Sequence, residues 1–221
     1  MRVGLQPDHT DFTVHENLLS RTPFFADALN RRNTFTAYIA IGGQQASTFG
    51  IYMNWLYTGR LHNKRPKATS VGSHSPHHDE WLSLTDACLL GEYLGDADFR
   101  DTVIDAKLEW FHVTPSKERR AILDTAAEVY RKVQTGDPLR RFISDIAAYH
   151  FDDKTIQEIV AKHAGMQLPA LFVADILGKL SSRFHGPSAP NFSNVPRPPV
   201  IAGRGTCNYH CHGDKECYKK K

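Results

Sequence analysis

The sequence predicts an α+β fold in which a small three-stranded sheet is capped by helices and followed by an α-helical extension and an extended tail. Three observations predict it. Strand-like alternation is found before position 42, apolar residues at helical spacing continue to Phe184, and proline, glycine and serine dominate after His185. We therefore expect a first domain at residues 1–112, a helical extension at 113–185, and a largely disordered linker and Cys/His-rich tail at 186–221.

The sheet is predicted from three short extended segments. Arg2–Leu5 and Asp11–His15 are separated by a turn-rich stretch of the kind that joins hairpin strands. Thr34–Ile41 alternates with the period of a strand and ends at Gly42 and Gly43. Three strands of this length would form a small sheet.

Three helices are expected after the hairpin strands. Glu16–Ser20 and Pro23–Leu29 have helical character, with Thr22 placed as an N-cap before a proline that suits the first helical position. A third helix begins at Ala46, carries one apolar face and ends at Gly59.

A polar loop and a helical hairpin complete the first domain. His62–Glu80 carries no periodic apolar face and is predicted to be a surface loop inserted into the domain. Apolar stripes at Leu82–Leu94 and Phe99–Phe111 then predict two packed helices, because Gly95 and Asp96 interrupt the pattern between them.

The extension is predicted to be helical throughout. One apolar face runs from Ile122 to Val133, and a second helix begins at Asp137, which is followed by a proline. A third helix is expected to open at Asp152 or Asp153, and a fourth spans Pro169–Phe184.

Composition indicates a folded chain that is not inserted in a membrane. Hydrophobic residues make up 41% and charged residues 23%, which is the balance of ordinary folded domains. The apolar stretches fall short of the roughly 20 residues of a membrane span, and no secretory signal is visible. We therefore expect an intracellular protein, cytoplasmic and/or nuclear. The formal charge of +3 gives little support to nucleic-acid binding.

No catalytic signature is present in the sequence. The nucleophile elbow, the phosphate-binding loops and the metalloprotease helix motif are all missing, so no catalytic residue is assigned and we expect a protein that is not an enzyme. Cys88 lies among apolar residues and is expected to be an inert packing residue.

The strongest chemical cluster lies in the tail. It consists of Cys207, His210, Cys211, His212 and Cys217. Thiolates and imidazoles are the ligands of structural zinc, so zinc would be held by the three cysteines and one of the two histidines. The alternative is an unstructured or redox-reactive tail without metal, because the spacing C-x3-C-x5-C differs from the common paired knuckles. Elsewhere no cofactor is expected.

Other histidines and aromatic residues have structural interpretations. His74, His77 and His78 are close in sequence, but we expect them to be part of the polar loop. Four large aromatic residues are expected to belong to the core because they supply much of a small domain's burial. They are Phe24, Phe25, Trp55 and Tyr57.

Three segments of the first domain form a recognisable combination. They are FTVHENLLSRTPFF at Phe12–Phe25, YMNWLYTGRL at Tyr52–Leu61 and LLGEYLGDADFRDTVIDA at Leu89–Ala106. Together they resemble the BTB/POZ domain family, and the whole is similar to BTB-domain proteins of filamentous fungi. The resemblance covers residues 1–112. It implies a BTB/POZ-like fold, in which His15 would be a buried structural histidine.

The resemblance also implies a function in protein–protein interaction. It implies self-association as a homodimer, partner recruitment by the helical extension and, in a narrower form, an adaptor that binds a cullin scaffold of a ubiquitin ligase. The expected self-association residues are Val3, Leu5, Glu16, Leu18 and Arg21. The alternative is a transcription-linked nucleic-acid binder that uses the Cys/His tail as a zinc module.

Overall fold

The computed structural model describes residues 1–5, 7–31, 38–62, 75–151, 154–155, 157, 168–185, 206–213 and 215–220. These divide into two compact units. The first comprises Met1–Thr114 with His212–Lys221, and the second comprises Pro115–Cys211. The first unit contains a three-stranded sheet with helices, so the predicted mixed α+β class is confirmed.

The sheet of the first unit has the order β2-β1-β3, with β1 at Arg2–Val3, β2 at Thr10–Asp11 and β3 at Ala40–Ile41. β1 pairs antiparallel with β2 and parallel with β3. The predicted hairpin is confirmed, but its strands are shorter than expected. Gly4 adopts a φ of +104°, which ends the regular part of β1 and favours glycine. The expected strand residues 34–37 lie outside the described part of the chain.

The first three helices follow the predicted positions. They are α1 at Glu16–Leu19, α2 at Pro23–Asn30 and α3 at Ala46–Thr58. Gly59 ends α3 in the left-handed conformation, with a φ of +66°. Thr22 occupies the N-cap position of α2 but makes no capping hydrogen bond.

Thr22 instead belongs to a buried polar network. Its hydroxyl lies 2.8 Å from the hydroxyl of Tyr52, and Tyr52 donates to Asp96 at 2.9 Å. Burial, followed by the carboxylate of Asp96, raises the pKa of the Tyr52 phenol. The network therefore links the start of α2 and the middle of α3 to Asp96, which precedes the helix Ala97–Val113.

The helical hairpin is formed by α4 at Pro76–Leu94 and α5 at Ala97–Val113. Gly95 adopts a φ of +69°, and Asp96 accepts a hydrogen bond from the backbone N–H of Phe99 at 3.0 Å. The predicted break between the two helices is therefore confirmed.

The loop prediction is wrong for residues 76–80, which are helical. Ser75 is the N-cap of α4 and accepts from the backbone N–H of His78 at 3.2 Å, and Pro76 occupies the first turn. His77 and His78 thus lie in a helix, not in a loop, whereas His74 and the rest of 63–74 lie outside the described residues.

The core of the first unit is aromatic and aliphatic. Cys88 is buried in it, in agreement with its expected packing role. The core prediction holds for Phe25, which is fully buried, but Phe24 and Trp55 are only half-buried and Tyr57 is 48% exposed. Further fully buried side chains are Ile41, Phe49, Trp81, Leu84, Leu90, Phe99 and Val103.

His15 is exposed, so the expectation of a buried histidine is wrong. It occupies the N-cap position of α1, where the chain runs along the surface. Its backbone N–H donates to the hydroxyl of Tyr57 at 3.1 Å, and its Nδ1 lies 2.6 Å from the same oxygen. An exposed phenol therefore satisfies this residue in place of buried backbone groups.

The second unit contains α6 at Ala121–Asp124, α7 at Ala126–Lys132, α8 at Pro138–His150 and α9 at Ala170–His185. The predicted face from Ile122 to Val133 is buried, although two helices share it. Asp137 caps α8 by accepting from the backbone N–H of Leu139 at 2.8 Å, as expected. The expected helix start at Asp152 or Asp153 lies outside the described residues.

The end of the tail is more regular than predicted. Short 3-10 turns are formed by Thr206–Tyr209 and Tyr218–Lys220, and Tyr209, His210 and Cys217 are buried. The predicted disorder is therefore wrong for this stretch, while residues 186–205 lie outside the described part. Among the described helices, none has the combination of length and apolar character that a bilayer crossing requires.

Candidate metal centre

The chain between Cys207 and Cys217 folds back on itself through two turns. The backbone N–H of His210 donates to the carbonyl of Cys207 at 3.1 Å, and the N–H of Lys215 donates to the carbonyl of His212 at 3.1 Å. Gly213, within the second turn, has a φ of +60°, a conformation that side chains other than glycine disfavour. The segment therefore consists of two successive turns, one on either side of Cys211.

Four side chains of this segment converge. The possible ligand atoms of Cys207, His210, His212 and Cys217 all lie within 4.8 Å of one another. Zinc bonds of about 2.3 Å to sulfur and about 2.0 Å to nitrogen place tetrahedral ligands roughly 3.3–3.8 Å apart. Small side-chain adjustments would thus close these four groups, which we call the Cys2His2 group, around one zinc ion.

The Cys2His2 group includes four of the five predicted metal ligands. Cys211 is not in it. The group that the structure brings together therefore contains two cysteines and both histidines, whereas three cysteines with one histidine were expected. Neighbouring side chains in a non-helical chain leave the backbone in different directions, so a site that uses His210 and His212 leaves out the residue between them.

The surroundings of the Cys2His2 group favour metal binding at a defined histidine nitrogen. The ring Nδ1 of His212 lies 2.9 Å from the carbonyl oxygen of Gly213 and donates to it. This bond fixes the tautomer in which Nε2 carries the lone pair that a metal requires. Backbone carbonyls have this orienting role at many zinc-ligating histidines.

A buried tyrosine anchors the first half of the segment within the second unit. The hydroxyl of Tyr209 donates to Asp145 at 2.8 Å, and its ring packs edge-on against Phe142 at 5.1 Å. Lys179 forms an ion pair with the same carboxylate. Burial, followed by the charge of Asp145, raises the pKa of the Tyr209 phenol, so it stays a donor.

A second tyrosine anchors the last residues of the tail within the first unit. Tyr218 donates to Asp105, and Lys219 forms an ion pair with that carboxylate at 2.8 Å. Burial and the bond to Asp105 raise the pKa of the Tyr218 phenol. The sequence reasoning missed both tyrosines, although aromatic residues that flank a Cys/His cluster are a recognisable signal in the run TCNYHCHGDKECYK.

The expected self-association residues differ in exposure. Val3 is fully buried in the core, so its side chain cannot contact a partner in this fold, and that assignment is corrected. Leu5 is 70% exposed, Glu16 and Arg21 are exposed, and Leu18 is half-buried. These four stay candidates for a partner surface.

The first unit also contains a fully buried lysine. Lys107 of α5 is fully buried and donates to the hydroxyl of Thr85 at 2.6 Å, and its Nζ lies 3.3 Å from the centre of the Trp81 ring. Burial lowers the pKa of Lys107 to about 7, although the nearby Cys88 and Asp86 act to raise it. No group of possible metal ligands surrounds Lys107 in the part of the chain that the structure describes. Among the described residues, only the tail brings together three or more histidine, cysteine or acidic side chains that could hold one ion.

A cavity of about 650 Å³ also lies in the first unit, and its walls carry both acidic and basic side chains. Part of its polar lining is already engaged within the fold. Asp105 binds Tyr218 and Lys219, and Trp110 donates its indole N–H to the carbonyl of His77 at 2.8 Å. Asp105 and Trp110 therefore have structural roles in the fold at this cavity.

The first family-like segment follows β2 and covers α1 and the start of α2. The second lies on α3 and the turn after it, and the third lies on α4 and α5. No match to this chain is found among protein-family models, curated proteins or solved structures. The resemblance to the BTB/POZ family therefore stays a prediction.

Proposed function

We propose that the chain is a protein-interaction module, not an enzyme, whose C-terminal segment folds around a structural zinc ion. The observation that supports it best is the Cys2His2 group, whose possible ligand atoms lie within 4.8 Å of one another. Four protein ligands fill a tetrahedral zinc site, whereas catalytic zinc keeps a position open for water or substrate. Such an ion would stabilise a segment too short to fold on its own.

The interaction function is supported by apolar and charged side chains on the surface of the first unit. Leu5 is 70% exposed two residues after β1, and the charged residues Glu16 and Arg21 are exposed at and just after α1. Protein contacts commonly combine an apolar centre with a polar rim, and an exposed leucine together with charged residues supplies both kinds of side chain. We propose that Leu5, Glu16, Leu18 and Arg21 mediate homodimerisation.

Analytical ultracentrifugation of the full chain over a range of concentrations tests self-association. We expect a dimer for the unmodified chain and a monomer for Leu5→Asp, because a buried charge at a contact opposes association. Val113→Asp is the matched control, since Val113 is 67% exposed but outside the proposed surface. A monomer at every concentration for the unmodified chain would remove this part of the proposal.

Partner recruitment is tested separately from self-association. A function as an adaptor for a cullin-type ubiquitin ligase predicts that a cullin co-purifies with the tagged full chain. Its absence from affinity-purified material would leave a general interaction module and remove the adaptor form.

Cobalt substitution tests the metal ligands. Co²⁺ bound by two thiolates and two imidazoles should give the intense visible absorption of a tetrahedral site and a thiolate charge-transfer band. We expect Cys217→Ser to lose both features and Cys211→Ser to keep them, because Cys211 is outside the Cys2His2 group. Equal spectra for the two variants would contradict the assignment.

The nucleic-acid alternative requires the tail lysines to contact phosphates. Lys219 is partly neutralised by its ion pair with Asp105 at 2.8 Å, which does not favour this function. A salt-dependent complex between the zinc-loaded chain and duplex DNA would nevertheless support it over the interaction module.

A further inference from the structure

The two cysteines of the Cys2His2 group differ in their access to solvent. Cys207 is exposed, whereas Cys217 is only 7% exposed. Their sulfur atoms lie within 4.8 Å of each other, and neither forms a disulfide. An accessible thiolate with a second thiolate close by is the usual arrangement of a redox-sensing cysteine pair.

We propose that the candidate metal centre is a redox switch in which a hydroperoxide oxidises Cys207 and Cys217 to a disulfide and the zinc ion is released. This inference rests on the proposed zinc site and adds a regulation to it. The thiolate of Cys207 attacks one oxygen of hydrogen peroxide, the O–O bond breaks, and hydroxide leaves as a sulfenic acid forms. The thiolate of Cys217 then attacks this sulfur and displaces the second hydroxide.

The balance of this reaction is complete with peroxide as the only co-reactant. Two thiolates lose two electrons to form one S–S bond, and one peroxide gains them to form two hydroxide ions. A disulfide sulfur is no longer a thiolate ligand, so the ion keeps only the two imidazoles of His210 and His212. Half of the coordination is thereby lost, which explains the release.

The choice of the disulfide partner follows from the geometry. Bond formation must bring the two sulfurs to about 2 Å, and Cys217 is already within reach of Cys207 in the Cys2His2 group. Cys211 is outside this group, although it is nearer to Cys207 in sequence. We therefore assign Cys217, not Cys211, as the resolving thiol.

The experiment uses the full chain loaded with zinc and freed of excess metal. Hydrogen peroxide is added while a chromogenic chelator records zinc release, and peptide mapping by mass spectrometry identifies the disulfide. We expect one zinc ion released for each Cys207–Cys217 disulfide, with thiol reductant and added zinc restoring the initial state. Cys211→Ser is the matched control and should release zinc at an unchanged rate.

A second variant separates ligation from oxidation. Cys207→His keeps a four-ligand set but removes the attacking thiol. We therefore expect zinc release from this variant to be at least about tenfold slower than from the unmodified chain. Zinc retained by the unmodified chain under peroxide, or release with a Cys207–Cys211 disulfide or without any disulfide, would overturn the switch. Absence of zinc before peroxide is added would instead contradict the proposed zinc site.

Discussion

The buried ammonium group of Lys107 should make the stability of the first unit depend on pH. Its Nζ donates to the hydroxyl of Thr85 at 2.6 Å and lies 3.3 Å from the centre of the Trp81 ring. These groups replace only part of the hydration that the charge loses on burial. Lys107→Met keeps an unbranched apolar side chain of similar length and removes the charge, so we expect a more stable protein.

The size of the expected stabilisation follows from the pKa of Lys107. The ordinary lysine pKa of 10.5 falls to about 7 in the fold, and this difference corresponds to a penalty of about 5 kcal/mol for folding with the charge. The full penalty applies below pH 7, where both states are protonated. Between pH 7 and 10.5 the unfolded chain holds the proton that the folded chain has lost, so stability rises by about 1.4 kcal/mol per pH unit.

The assay is urea unfolding followed by tryptophan fluorescence. All three tryptophans belong to the first unit, so the signal reports on that unit. We expect the advantage of Lys107→Met over the unmodified chain to shrink by about 3 kcal/mol between pH 7.5 and 9.5, because other titrating groups cancel in the difference. Lys220→Met, at an exposed position of the same unit, is the control and should show little change. A pH-independent difference for Lys107→Met would refute the reasoning.

Further predictions concern packing, the buried network and the metal. Gly91→Ala should destabilise the first unit by about 1–3 kcal/mol, because the added Cβ would lie 2.6 Å from the Cγ of Arg100; an unchanged urea midpoint would contradict this. Tyr52→Phe should cost about 1–3 kcal/mol, since Thr22 and Asp96 lose a buried partner, and a neutral effect in the same assay would count against the network. Removal of zinc by a chelator should lower the melting temperature in calorimetry and re-addition should restore it; identical melting curves would argue against a structural ion.

The local features of the fold could be predicted from the sequence because they depend on neighbouring residues. Gly59 and Gly95 end helices with a positive φ, and Asp137 caps α8 through its own side chain. The start of α4 was missed for the opposite reason. The polar residues that follow Ser75 show no apolar face, yet the cap and the proline are sufficient to begin the helix.

Features that depend on distant residues were harder to predict. His15 is satisfied by Tyr57, which is 42 positions away, and sequence spacing does not reveal such a contact. Lys107 lies one helical turn from both Val103 and Phe111 in the apolar stripe of α5, a signal that could have identified it. The candidate ligands were predicted by residue type, but the exclusion of Cys211 depends on the backbone directing neighbouring side chains differently, which residue type does not show.

The central claim is that the tail binds one zinc ion through two cysteines and two histidines. Elemental analysis of the purified full chain, after removal of loosely bound metal, tests this most directly when Cys217→Ser and Cys211→Ser are measured alongside. We predict about one zinc per chain for the unmodified protein and Cys211→Ser, and almost none for Cys217→Ser. Metal-free unmodified protein after zinc loading, or equal zinc in both variants, would contradict the account.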